Sequence, residues 1–167
     1  MIGGTSIDDE TIKVTAKVKK YDPSADSWEE VSDMNEGRHD AFGAAMNGKI
    51  YVAGGRQEDR ESWSVLNTSE VYNPSSNEWQ LMPSLNIPRY YASMVCYMGA
   101  LYVVGGLKDR SKSRELSVEV FDTETNEWKE KSNIPVKYEN GEKVKKTIHF
   151  KACSATIHKD VLRKSIQ

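Results

Sequence analysis

Three histidines (His39, His149, His158) and two cysteines (Cys96, Cys153) are where metal binding or nucleophilic catalysis would first be sought. Their spacing supports neither. No histidine stands at ligand spacing from another His, Cys or carboxylate, and the cysteines lie far apart, outside any Cys-x-x-Cys arrangement. They read as two buried, reduced thiols. Each Gly pair closes an apolar stretch with no helix following, so no phosphate cradle is formed. The adjacent acids Glu58-Asp59 sit among arginines, where ion pairing is the expected role. The residue types that remain favour recognition. Arg56, Arg60, Trp63, Tyr90, Tyr91 and Arg110 put guanidinium forks beside large rings, the composition of a protein-contact hot spot and a fit for an acidic segment. Arg38 and Arg89 join them as candidates, but both stand ten residues past a tryptophan, so bracing the scaffold is an equal expectation for that pair. The expectation is a binding module, not an enzyme, with no cofactor and no metal.

What positions these residues is a repeat. Gly pairs fall at Gly3-Gly4, Gly54-Gly55 and Gly105-Gly106, 51 residues apart each time. Apolar runs precede the last two, Ile50-Tyr51-Val52-Ala53 and Leu101-Tyr102-Val103-Val104. An aromatic follows at Tyr21, Tyr72 and Phe121, and seven residues past each comes Trp28, Trp79 or Trp128. The intervals YDPSADSW, YNPSSNEW and FDTETNEW carry turn chemistry, so each is a hairpin. Ile12, Val14, Ala16 and Val18 alternate with polar residues and read as one half-buried strand. Residues 90–107 carry no charge over eighteen positions. Gly99 splits that run and strand formers crowd it, so it reads as two buried strands and not as a membrane span.

A period near fifty with Gly-Gly, Tyr and Trp landmarks resembles the kelch repeat, most of all the kelch domain of BTB–kelch proteins. The resemblance implies an all-β fold, a partial kelch β-propeller of four-stranded antiparallel blades, strands a to d from the axis outward. Gly54, Gly55, Gly105, Gly106 and the Tyr/Phe–Trp pairs (Tyr21, Trp28, Tyr72, Trp79, Phe121, Trp128) are then scaffold. The expected division is a single domain over 1–167: an incomplete blade 1 at 1–34, blade 2 at 39–84, blade 3 at 90–133, and 134–167 as a long loop and the start of a fourth blade. The b–c loops (56–63, 108–114) and the d–a loops (35–40, 86–91) are expected on one face. The Lys-rich stretch 138–151 is a contact for an acidic partner or a solvated loop. The resemblance implies a substrate-recognition role in a cullin-RING ubiquitin ligase adapter, with the BTB and BACK domains not among these residues. Actin binding comes with the same family. A kelch-propeller enzyme, such as a copper oxidase or an epimerase, is the disfavoured third reading.

Composition bounds the rest. A net charge of −2 with both signs interspersed leaves no footprint for nucleic acid and no reason to seek a membrane surface. The start lacks the basic region and apolar core of a signal peptide, so a cytoplasmic location is expected. Two chains are a further expectation: the C-terminal piece, 149–162, resembles the inner strand that blade 1 lacks, so a homodimer would close a six-bladed ring.

Overall fold

Tight turns set the strand boundaries. Asn47-Gly48 and Met98-Gly99 each take two consecutive positive φ values (51° and 72°, 49° and 76°), the geometry of a two-residue hairpin turn. In the wider hairpins Asp22, Asn73 and Asp122 each accept a backbone N–H two residues on, from Ser24, Ser75 and Glu124. The computed structural model describes residues 1–8, 11–58, 62–134, 138–139 and 142–143, and among these there is no helix. None of the described residues therefore forms a helix long and apolar enough to cross a membrane.

In chain order the strands are β1 (Thr5–Asp8), β2 (Thr11–Val14), β3 (Val18–Asp22), β4 (Ser27–Val31), β5 (Phe42–Met46), β6 (Lys49–Ala53), β7 (Arg56–Glu58), β8 (Trp63–Val65), β9 (Ser69–Asn73), β10 (Glu78–Met82), β11 (Ser93–Tyr97), β12 (Ala100–Val104), β13 (Val118–Asp122), β14 (Glu127–Lys131), β15 (Tyr138–Glu139) and β16 (Glu142–Lys143). Two four-stranded antiparallel sheets result, β5-β6-β9-β10 and β11-β12-β13-β14. Ahead of them β3 pairs with β4, and Ile2 makes an isolated bridge to Val18. The sheets are four-stranded antiparallel blades, as expected of a partial propeller. The uncharged run 90–107 forms β11 and β12, the two buried strands expected of it.

The sheets stack through their faces. Val18 and Met34 of the first unit pack with Val52, Tyr72 and Trp79 of the second. Phe42, Met46, Ala53 and Leu85 pack with Met94, Leu101, Val103, Phe121 and Trp128 of the third. Innermost strands β5 and β11 lie side by side. Trp79 and Trp128 close these interfaces. Trp79 Nε1 donates to Ser32 O at 2.9 Å and Trp128 Nε1 to Pro83 O at 3.0 Å, each reaching the unit before it.

Two expectations are corrected here. Ile12 to Val18 is not one strand: β2 ends at Val14 and β3 begins at Val18. Between them Thr15 N donates to Gly4 O, while Ala16 O and Thr15 O accept from Met34 N and Arg38 N. The linker to the next blade takes those backbone groups, so no neighbouring strand can. Residues 56–63 are also more than a loop. Arg56↔Val65, Gln57↔Ser64 and Glu58↔Trp63 make β7–β8 a short hairpin, matched by β1–β2 one blade earlier.

Candidate protein-contact site

The frame under the loop face is a buried ion pair that recurs in the first two linkers. Glu70 on β9 is fully buried, and its carboxylate accepts from Asn35 N and Nδ2 (both 2.7 Å), Glu36 N (3.1 Å) and Arg38 Nη2 (2.8 Å). One blade on, Glu119 of β13 accepts from Asn86 N (2.7 Å), Asn86 Nδ2 (2.9 Å), Ile87 N (3.2 Å) and Arg89 Nη2 (2.6 Å). A carboxylate buried without such donors would be strongly unfavourable; here four donors occupy it. The arginines extend the clamp, Arg38 Nη1 donating to Gly54 O and Arg89 Nη1 to Gly105 O. Gly54 shows why glycine is required there. Its φ is +58°, and a Cβ would lie 2.4 Å from Arg89 O.

Arg38 and Arg89 are therefore corrected as contact candidates. Both are 0% exposed, because the clamp takes their guanidinium groups into the interior. Glu70 and Glu119 were not singled out in the sequence. Each stands two residues before the repeat aromatic, and that constant offset was the available signal.

Beyond the clamps the linkers surface at His39-Asp40 and Tyr91, whereas Tyr90, expected as a contact, is corrected to a core residue at 3% exposure. Here the structure brings together most of the remaining contact candidates. Arg56 donates from Nε to Asp40 Oδ2 at 2.7 Å and from Nη1 to Glu58 Oε2 at 3.1 Å, with its guanidinium 5.3 Å from the Tyr90 ring centroid. Tyr90 meets Trp63 edge-on at 6.1 Å and Tyr91 at 5.2 Å. Arg110 lies 5.6 Å over Trp63. Tyr91 is 59% exposed and takes a positive φ of 52°, held by its N–H on Asp40 O. A bulky residue in that region is costly, so the surrounding contacts fix its ring outward. Arg60 and nearly all of the Lys-rich stretch 138–151 lie outside the described residues, as does the segment 149–162.

Electrostatics divides the two surface arginines. Arg56 is committed to Asp40 and Glu58. Arg110 is exposed, and among the described residues no carboxylate pairs with it. Asp109 beside it is turned inward: the Ser111 and Ser113 hydroxyls and the Ser113 N–H lower its pKa to about 2. Burial pushes the His39 imidazole below its ordinary value, against the opposing pull of Asp40. Tyr90 and Tyr91 are both raised, chiefly by desolvation, so they stay neutral hydroxyls. Among the described residues no group of three or more His, Cys, Asp or Glu side chains is placed to hold a metal ion. The exposed Tyr91 ring, with the half-buried Trp63 and the Arg110 guanidinium stacked on it, can bind a protein surface by ring burial and charge-assisted hydrogen bonding.

The family model described as the Kelch motif matches residues 37–86 and 88–135. The putative F-box/kelch-repeat protein At1g27420 of Arabidopsis thaliana is 33% identical over 129 residues, covering 77% of this chain and 34% of the relative. The F-box/kelch-repeat protein At1g67480 of the same plant is 31% identical over 128 residues, with 77% and 33% covered. Human Kelch-like protein 33 is 34% identical over 91 residues, 54% of this chain and 16% of its own length. The chain thus spans about a third of the F-box/kelch relatives it matches. Among solved structures, that titled "Structure of YjhT" superposes with a TM-score of 0.65 at 20% identity, covering 80% of this chain and 50% of the other.

Proposed function

The chain belongs to the kelch-repeat family, and from that premise we propose that its loop face holds target proteins for a cullin-RING ubiquitin ligase adapter. Two lines support the reading. Similar proteins bear the names F-box/kelch-repeat protein and Kelch-like protein, and the repeat itself resembles the BTB–kelch branch. The single observation that carries it is the Trp63–Tyr90–Tyr91 row with Arg110 stacked on Trp63, set on linkers that buried clamps hold rigid. Recognition loops on a fixed frame lose little entropy on binding. Arg110 favours an acidic segment as the target's anchor.

The test is capture from cell lysate with quantitative mass spectrometry, comparing wild type with Trp63→Ala, Tyr91→Ala and Arg110→Ala. A target of this face loses at least about tenfold in recovery with Trp63→Ala or Tyr91→Ala, the effect of removing a hot-spot ring. Captured proteins indifferent to all three changes refute the assignment. Co-sedimentation with filamentous actin separates the cytoskeletal reading: actin pelleting the protein in a Tyr91-dependent manner would favour it.

A further inference from the structure

The b–c loop of blade 3 sets two serines among cations. Lys108, Arg110, Lys112 and Arg114 alternate along it, and Asp109 is the one acid between them. Lys112 N donates to Asp109 O and Lys108 N to Ser113 O, both at 3.0 Å, which leaves Arg110 and Ser111 at the apex. Ser111 is exposed there. Its hydroxyl donates to Asp109 Oδ1 at 2.6 Å and lies 3.0 Å from the Ser113 hydroxyl. Ser113 N donates to the same carboxylate oxygen at 2.9 Å. One carboxylate therefore ties the turn together, and these donors keep it ionised.

The turn is joined to the aromatic row on both sides of that carboxylate. Tyr90 Oη donates to Asp109 O at 3.1 Å, and Arg110 lies 5.6 Å over the Trp63 ring. The two backbone bonds that shape the turn run within the loop, so it opens to an incoming enzyme without disturbing the blades. A phosphate on Ser111 Oγ would remove the proton that Asp109 accepts and set a charge of about −2 against a fixed carboxylate. The two repel. Arg110 and Lys112, the residues on either side, are the cations at hand. A guanidinium fork on a phosphate is bidentate and stronger than stacking on an accessible ring. The corresponding stretch of blade 2 carries Glu58, Asp59 and Glu61, so the basic setting belongs to blade 3 alone of the two.

We infer that Ser111 is a phosphorylation site for a serine kinase that selects basic surroundings, and that its phosphate draws Arg110 off Trp63. In the transfer, the γ-phosphoryl group of Mg·ATP passes to Ser111 Oγ, the hydroxyl proton goes to the kinase's base, and ADP leaves. The consequence rests on the acidic-target reading given above. Phosphorylation neutralises the cation that anchors an acidic segment and turns the rim negative, so it releases the target.

The test incubates the full chain with the catalytic subunit of cyclic-AMP-dependent protein kinase, a basic-directed enzyme, and Mg·ATP, and maps the product by tandem mass spectrometry. A phosphate on Ser111 is expected, kept in Ser113→Ala and lost in Ser111→Ala, with the circular dichroism of both variants unchanged. A chain left unmodified, or modified at Ser113 alone, overturns the site. The indole N–H resonance of Trp63, assigned with Trp63→Phe, reads the second step. Phosphorylation moves it in the direction that Arg110→Gln does, while the buried Trp79 resonance stays in place; an unmoved Trp63 resonance overturns the withdrawal of Arg110. Fluorescence anisotropy with a fluorescein-labelled oligoglutamate peptide reads release, and affinity falls at least about tenfold on phosphorylation. Equal binding by both forms overturns the release. An unmodified chain that ignores the peptide overturns the acidic-target reading and the release with it, and the first two readouts still decide the site.

Discussion

Glu119→Ala isolates the clamp between the second and third blades. The carboxylate holds four donors at 2.6–3.2 Å, three on the linker and one on Arg89, whose side chain is 0% exposed. Truncation leaves the guanidinium with Ser117 and carbonyl oxygens only. Removing one partner of a buried ion pair costs about 3–5 kcal/mol. The orphaned Asn86 and Ile87 amides add to this, but water entering the space left behind offsets part of their cost of about 1–3 kcal/mol each. A loss of about 4 kcal/mol is a large fraction of the roughly 5–15 kcal/mol that holds a domain folded. At about 2–4 °C per kcal/mol for a chain of this size, Tm falls by about 10 °C. Urea and thermal unfolding followed by circular dichroism measure it. Glu130, directly across the strand pair from Glu119 but exposed, is the control, and Glu130→Ala shifts stability by no more than about 0.5 kcal/mol. A Glu119→Ala loss below about 1.5 kcal/mol would refute the clamp as an energetic element.

Three more outcomes follow from the packing and the charges. Trp79→Ala costs about 3–5 kcal/mol in unfolding experiments, since it empties a buried site and frees Ser32 O; the repeat-equivalent Trp28→Ala costs less than about 1 kcal/mol. Gly54→Ala, with φ at +58° and a new Cβ 2.4 Å from Arg89 O, loses about 3 kcal/mol by the same measurement, and a neutral result would show the linker can yield. His39 has a folded pKa below its ordinary 6.5, so the folded state binds fewer protons; its contribution is fully present above pH 6.5 and is lost as pH falls toward the folded value. The urea midpoint should therefore drop on acidification below pH 6.5, and His39→Gln should flatten that slope.

The scaffold was legible because its landmarks are residues with few alternatives. Gly54 tolerates no Cβ and Trp79 fills a space only a large ring fills, so the 51-residue rhythm survives as a visible pattern. Glu70 and Glu119 were illegible for the opposite reason. A glutamate inside an alternating strand reads as facing water, and only the linker amides reveal the buried role. Arg38 and Arg89 were ambiguous in sequence because a guanidinium serves a surface contact and a buried clamp equally well; 0% exposure decides it. The β7–β8 hairpin was missed because Arg56-Gln57-Glu58 has no apolar alternation, its pairing coming from position beside Val65 and Trp63. Trp63 and Tyr91 stood out by departing from the repeat.

Arg89 and Tyr91 are two residues apart, one sealed inside and the other presented to solvent. A charge in the interior thereby sets the address of a ring on the exterior. Sequence change is constrained where the linkers emerge and free at the hairpin tips above them, so the same foundation can carry a changeable rim. Targets would then be exchanged by rewriting residues 56–65 and 107–114, while the inner row of Tyr90 and Tyr91 keeps its coordinates.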